Sequence, residues 1–123
     1  MDDQLAVDDL MDAAIGRVIA ALPRPFADHL ASVAIVIEDE ATPDQLASVE
    51  AAGLFGLYQG IPRTRLSAEG IAMPSKITLF RGPLLRAHRS PEAFEAAVEA
   101  TVRHEIAHHF GISDERLHDL ERR

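Results

Sequence analysis

Residues 104–114 read His-Glu-Ile-Ala-His-His-Phe-Gly-Ile-Ser-Asp, an HExxHxxGxxD pattern, and no other stretch restricts the fold as much. A helix repeats every 3.6 residues, so His104 and His108 stand one turn apart on a single face. Two imidazoles so spaced bind one Zn²⁺, each at about 2.0–2.1 Å. Glu105 is rotated by about 100° from His104. Its carboxylate is left free to act as general base toward water at the metal. Gly111 permits φ > 0, which ends the helix and folds the chain back. The return can bring Asp114 round as a third ligand. Three protein ligands plus water make a catalytic zinc site, whereas a structural site is closed by four.

Each of these residues also has an ordinary reading. His104 and His108 can be plain helix residues, Gly111 a common helix-ending glycine, and Asp114 the N-cap of a last helix. HExxH alone fixes only three positions and arises by chance. Gly and Asp at set distances beyond it make coincidence remote. The helical wheel agrees. Phe94, Val98, Val102 and Ile106 cluster on a core face, with His104 and His108 together to one side and Glu105 between them and the core. His109 falls on the core face and reads as a structural histidine or one that braces a ligand.

At 123 residues the chain is expected to form one domain spanning 1–123. No run of 18 apolar residues is present, so no membrane helix is expected. The start is acidic (Asp2, Asp3) and lacks a basic-then-apolar signal, which points to a cytoplasmic protein. The absence of cysteine excludes disulfides and thiolate ligands. A net charge of −8 opposes a nucleic-acid partner, because phosphate neutralisation needs a basic surface.

Apolar spacing from Val7 to Leu22 predicts an amphipathic helix over 8–22, stopped by Pro23 and Pro25. Val33-Ala34-Ile35-Val36-Ile37 predicts a strand buried on both faces. Thr42-Pro43-Asp44-Gln45 is a capping box with proline at the first helical position, opening a short helix that ends before Gly53. Leu54–Tyr58 predicts a second strand, weakened by Gly56. Residues 59–75 show no period and hold Gly60, Pro62, Gly70 and Pro74, so they form a loop, either a plain surface loop or an active-site flap. Lys76–Arg81 predicts a third strand, followed by a turn at Gly82-Pro83 and about one helical turn. Ser90-Pro91-Glu92 starts the motif helix, which runs to Phe110. Asp114 to Arg122 predicts the last helix.

The chain resembles the minimal zincin-like metallopeptidases, a family of small bacterial proteins. The residues that carry the resemblance are Val33 to Glu38, Leu57-Tyr58-Gln59-Gly60, Ile77 to Pro83, and the 104–114 segment. They cover nearly all of the chain from the first strand onward. The resemblance implies an α+β fold, with a small mixed sheet of three to four strands packed on the active-site helix. It also implies Zn²⁺ on His104, His108 and Asp114, with Glu105 as acid and base. The larger metzincins carry a third histidine where this chain has Asp114, and a later methionine turn, whereas no Met follows Met73 here. Thermolysin-like zincins take a glutamate from a second helix, but only 15 residues follow His108. The cleft that such a lobe would build is therefore expected from the 59–75 loop or from a partner chain or second copy, or else is absent.

The first functional expectation is a zinc-dependent peptidase, weak or partner-dependent, acting on a peptide added to an exposed strand edge at Ile77–Arg81. Tyr58, His118 and Arg81 are candidate oxyanion donors; the plain alternatives are core packing with a satisfied hydroxyl for Tyr58 and a solvent-facing helix position for His118. A second class is a non-catalytic metal- or peptide-binding module. A metal-dependent endoribonuclease is a minor third, opposed by the acidic surface and by Glu105 itself.

Overall fold

The computed structural model describes residues 4–47, 54–60 and 75–121. Helix α1 (Gln4–Ala21) and the short α2 (Arg24–His29) lead through a 3₁₀ turn into strand β1 (Val33–Glu38). Helix α3 (Pro43–Ala47), strand β2 (Gly56–Gln59) and strand β3 (Ser75–Phe80) follow. The chain closes through α4 (Arg81–Ala87), the motif helix α5 (Pro91–Phe110) and α6 (Asp114–Glu121). Among the described residues the sheet is mixed, in the order β1-β3-β2. β3 pairs in parallel with β1, Ile35 opposite Ile77, and antiparallel with β2, Tyr58 opposite Ile77. This is the α+β arrangement that the sequence led us to expect.

The core lies between the sheet and two helices. Val7, Met11, Ala14 and Val18 of α1 meet Phe94, Val98, Val102 and Ile106 of α5, all buried. Ile77 and Leu79 of β3, Leu84 of α4, Phe110 of α5 and Leu117 of α6 belong to the same core. Both helices therefore use the 3.6-residue stripe read from their sequences. Arg17 of α1 bridges Glu95 and Glu99 across this interface, both at 3.3 Å, and all three side chains are partly exposed.

Local signals are met at their expected positions. Thr42 and Gln45 form the reciprocal capping box, with Thr42 N–H donating to Gln45 Oε1 at 2.8 Å and Gln45 N–H to Thr42 Oγ1 at 3.1 Å. Ser90 Oγ accepts from Ala93 N–H at 3.1 Å and opens α5.

Several expectations need correction. β1 is not buried on both faces: its residues are half-buried and Ala34 is exposed. It is a terminal strand, and the fully covered position belongs to β3. For the same reason Ile77–Phe80 offers no open edge, since both of its sides are paired. Among the described residues the terminal strand beside α5 is β2. β2 starts two residues later than expected, although Phe55 C=O still accepts from Phe80 N–H at 2.9 Å. Arg81 leaves the strand to begin α4, and Gly82-Pro83 form the first turn of that helix, not a free turn. Proline is tolerated there because first-turn N–H groups have no helical partner. The expected loop at 59–75 falls almost wholly on residues 61–74, outside the described residues, as do the end of the helix before Gly53 and the last residue of the 114–122 helix.

Candidate metal centre

The site is built by the end of α5 and the turn that follows. Gly111 sits at φ 67°, ψ 33°, the left-handed region that favours glycine. Its N–H donates to His108 C=O at 3.1 Å, and Ile112 N–H donates to Ala107 C=O at 3.0 Å. These two bonds are the Schellman closure, which satisfies the last carbonyls and reverses the chain. Ile112 then packs against the core. Ser113 Oγ accepts from Arg116 N–H at 3.0 Å and caps α6. Asp114 is thus not the N-cap that its ordinary reading required. It occupies the first helical position, and its carboxylate is free to turn back toward α5.

That carboxylate meets His104. Asp114 Oδ2 lies 2.8 Å from His104 Nδ1. The other imidazole nitrogen, Nε2, lies 3.9 Å from Glu105 Oε2, and Glu105 Oε1 lies 3.3 Å from His108 Nδ1. The rings of His104 and His108 are 4.5 Å apart between centroids. One potential ligand atom from each of His104, Glu105 and His108 falls within 4.8 Å of the others. Asp114 touches this group through His104 and stands outside it.

Burial divides the group. Glu105 is 5% exposed. The side chains of His104, His108 and Asp114 are 48%, 54% and 60% exposed. A carboxylate so deep costs heavily unless it is paired, and here two imidazoles face it from the solvent side. Such a donor set fits a divalent cation that takes nitrogen and oxygen ligands. The hydrogen bond that His104 donates to Asp114 raises the pKa of His104 above the ordinary histidine value; burial acts in the opposite direction, and the charges of Asp114 and Glu105 add to the rise.

The other candidates separate clearly. His109 is buried on the core face as the wheel required, with Nδ1 3.2 Å from Tyr58 Oη. Tyr58 Oη also lies 3.2 Å from Ser75 Oγ, so its hydroxyl is engaged in tying α5 to the sheet. Arg81 is buried and bound by Asp8 at 2.8 Å and by Asp39. Both Tyr58 and Arg81 thus take their structural readings. His118 is exposed and, with Asp114, lines a hollow of about 300 Å³ against His104. On the other side of His104 a hollow of about 330 Å³ runs between β2 and α5, with Glu105 in its wall. A larger one, about 370 Å³, is lined by Leu85, Arg86, His88 and Arg89, with no carboxylate among its described lining residues.

Two features of the site escaped the sequence reading. Ser113 followed by two acidic residues is an N-cap signal that was legible and would have released Asp114. By its sequence Gly56 is a weakness in a strand. A Cβ there would lie 2.6 Å from Thr101 Cγ2, so this glycine lets β2 approach the motif helix one turn before His104. No local signal reveals that contact, which joins segments 45 residues apart.

No protein of curated function matches the sequence. The family model for zincin-like metallopeptidases matches residues 30–123, which is most of the chain, and the chain belongs to that family.

Proposed function

We propose that this member of the zincin-like metallopeptidase family is a zinc-dependent hydrolase of flexible peptides. In this reading His104, His108 and Asp114 hold the metal and Glu105 is the general base. The observation that carries it is the buried Glu105 carboxylate facing two half-exposed imidazoles on one helix face. Bound Zn²⁺ would polarise the scissile carbonyl and lower the pKa of the attacking water.

The chain's own residues do the rest. Glu105 takes a proton from the attacking water and returns it to the leaving amine. Its burial keeps the carboxylate poorly hydrated and held at one end of the cleft. His104 and His108 are fixed by their place on a long, well-packed helix. The contact of Asp114 with His104 Nδ1 also favours a second role, that of fixing the ring so that Nε2 faces the metal. An extended peptide can add to the outer edge of β2, the terminal strand against α5.

Turnover is expected to be slow in the isolated chain. Fast hydrolysis needs the substrate held in line and its oxyanion met by fixed donors. The metal-binding face is about half open to solvent, and Tyr58 and Arg81 are committed elsewhere. A kcat/KM below about 10⁴ M⁻¹s⁻¹ is expected on an unstructured peptide; a partner or second copy seated over His104 and His108 would raise it.

The test compares wild type with Glu105→Gln, both zinc-loaded, on an unstructured protein substrate. Zinc content should match, while hydrolysis should fall by about 10²–10⁴-fold. Equal hydrolysis, or zinc lost with the glutamate, would remove Glu105 as the base. Zinc bound without hydrolysis in wild type would favour a binding module.

A further inference from the structure

We infer that the basic hollow at the junction of α4 and α5 binds a carboxylate, that of an acidic side chain in an extended peptide. As a statement about substrates this rests on the peptidase reading above: the acidic residue then lies on the Phe55 side of the bond attacked. As a statement about binding it stands by itself.

The hollow is lined by Leu85, Arg86, His88 and Arg89, with no carboxylate among its described lining residues, in a chain whose net charge is −8. Its donors are set by the local backbone. α4 ends at Ala87, His88 is extended at φ −134°, ψ 102°, and Ser90 caps α5, so residues 88–90 cross between two helices. Arg86, in the last turn of α4, is held by Glu40, to whose two oxygens its terminal nitrogens donate at 2.7 and 2.9 Å. That pair uses two of the five N–H groups of a guanidinium, and three remain to donate. Glu40 offsets the charge of Arg86, so the net positive charge of the hollow falls to Arg89. Arg89 is exposed and has no hydrogen-bond or ion-pair partner among the described residues. His88 donates through Nδ1 to Leu84 C=O at 2.9 Å, since a carbonyl only accepts, and that bond leaves Nε2 unused. A group that meets mainly donors must itself be an acceptor, and the planar fork of arginine matches a carboxylate.

Two observations favour a peptide as the source. Leu85 supplies an apolar flank for the stem of an acidic side chain. Phe55 links the hollow to the proposed cleft. Its ring meets that of His88 edge-on, with centroids 5.4 Å apart, and the same residue lines the hollow that contains His104 and Glu105. A peptide added along the outer edge of β2 and continuing past Gly56 toward Phe55 comes to His88 and Arg89. Repulsion from the rest of the acidic chain is screened over about 10 Å at 0.1 M salt, whereas charge-assisted hydrogen bonds act at contact.

The test is an NMR titration of the full chain with an alanine pentapeptide bearing a central glutamate and, separately, with its glutamine counterpart. Both ends are blocked, so the glutamate side chain carries the only carboxylate. The glutamate peptide should give saturable shifts at His88 and Arg89. The glutamine peptide should bind about tenfold more weakly, the size of one lost charge-assisted hydrogen bond. Arg89→Gln should bring the glutamate peptide down to the level of the glutamine peptide. Equal affinity for the two peptides, shifts confined to other surfaces, or a preference that survives Arg89→Gln would overturn the inference. So would tighter binding of inorganic phosphate than of the glutamate peptide, which would assign the hollow to a phosphate group. The titration needs neither zinc nor turnover, so its failure would strike this hollow alone, and failure to hydrolyse peptides would strike the peptidase reading alone.

Discussion

His104 sits between two carboxylates and answers to both. Asp114 binds its Nδ1, while Glu105 lies beyond its Nε2. In the metal-free chain this raises the histidine's pKa, chiefly through the Asp114 hydrogen bond. The sign follows. The protonated pair stabilises the metal-free fold fully below the ordinary histidine pKa of about 6.5, and that contribution is lost as pH rises through the raised value. Both side chains are about half exposed, so solvent keeps the contribution small. Zinc asks the opposite, since it binds neutral imidazole and must displace the proton. Zinc affinity should therefore fall as pH drops below the raised value, about tenfold per unit for each proton displaced. Asp114→Asn should bring the His104 titration, followed by NMR in the metal-free chain, back toward the ordinary value. It should also weaken zinc binding at least tenfold. An Asn variant that binds zinc like wild type would leave Asp114 as a brace for the ring and not a ligand.

At the scale of elements, what was legible was local. Thr42 with Gln45, Ser90 with Pro91, and Gly111 each act within a few residues, and each forms the cap its sequence announces. The stripe from Phe94 to Ile106 is one helix read against itself. The position of a strand in its sheet is different, because partners distant in sequence decide it. Val33–Ile37 and Ile77–Phe80 are both apolar runs, and nothing within either tells the terminal strand from the central one. The sequence accordingly points to an open edge on β3, whereas among the described residues it belongs to β2. Gly56 carries the same lesson. Gly56→Ala should cost about 1–3 kcal/mol through overpacking against Thr101. Urea unfolding at constant slope measures this. A change within a few tenths of a kcal/mol would mean that β2 and α5 part freely there.

In the whole molecule, the first helix and the sheet hold the motif helix from two sides, and the proposed metal site sits on its remaining, more open face. Val7, Met11, Ala14 and Val18 and the strand residues Ile77 and Leu79 meet the core face of α5, which leaves His104 and His108 exposed at its margin. The rigid part of the site is thus the part built by the core. The wall that would enclose a substrate is scant among the described residues. Metal binding should need only what the core holds in place. The most direct test of the metal site is the zinc stoichiometry of the purified chain at neutral pH, by native mass spectrometry, beside His108→Ala. One zinc ion per wild-type chain and none retained by the variant is the predicted result, because two remaining ligands do not make a stable site. Zinc bound equally by wild type and His108→Ala would contradict it and remove the metal from this helix.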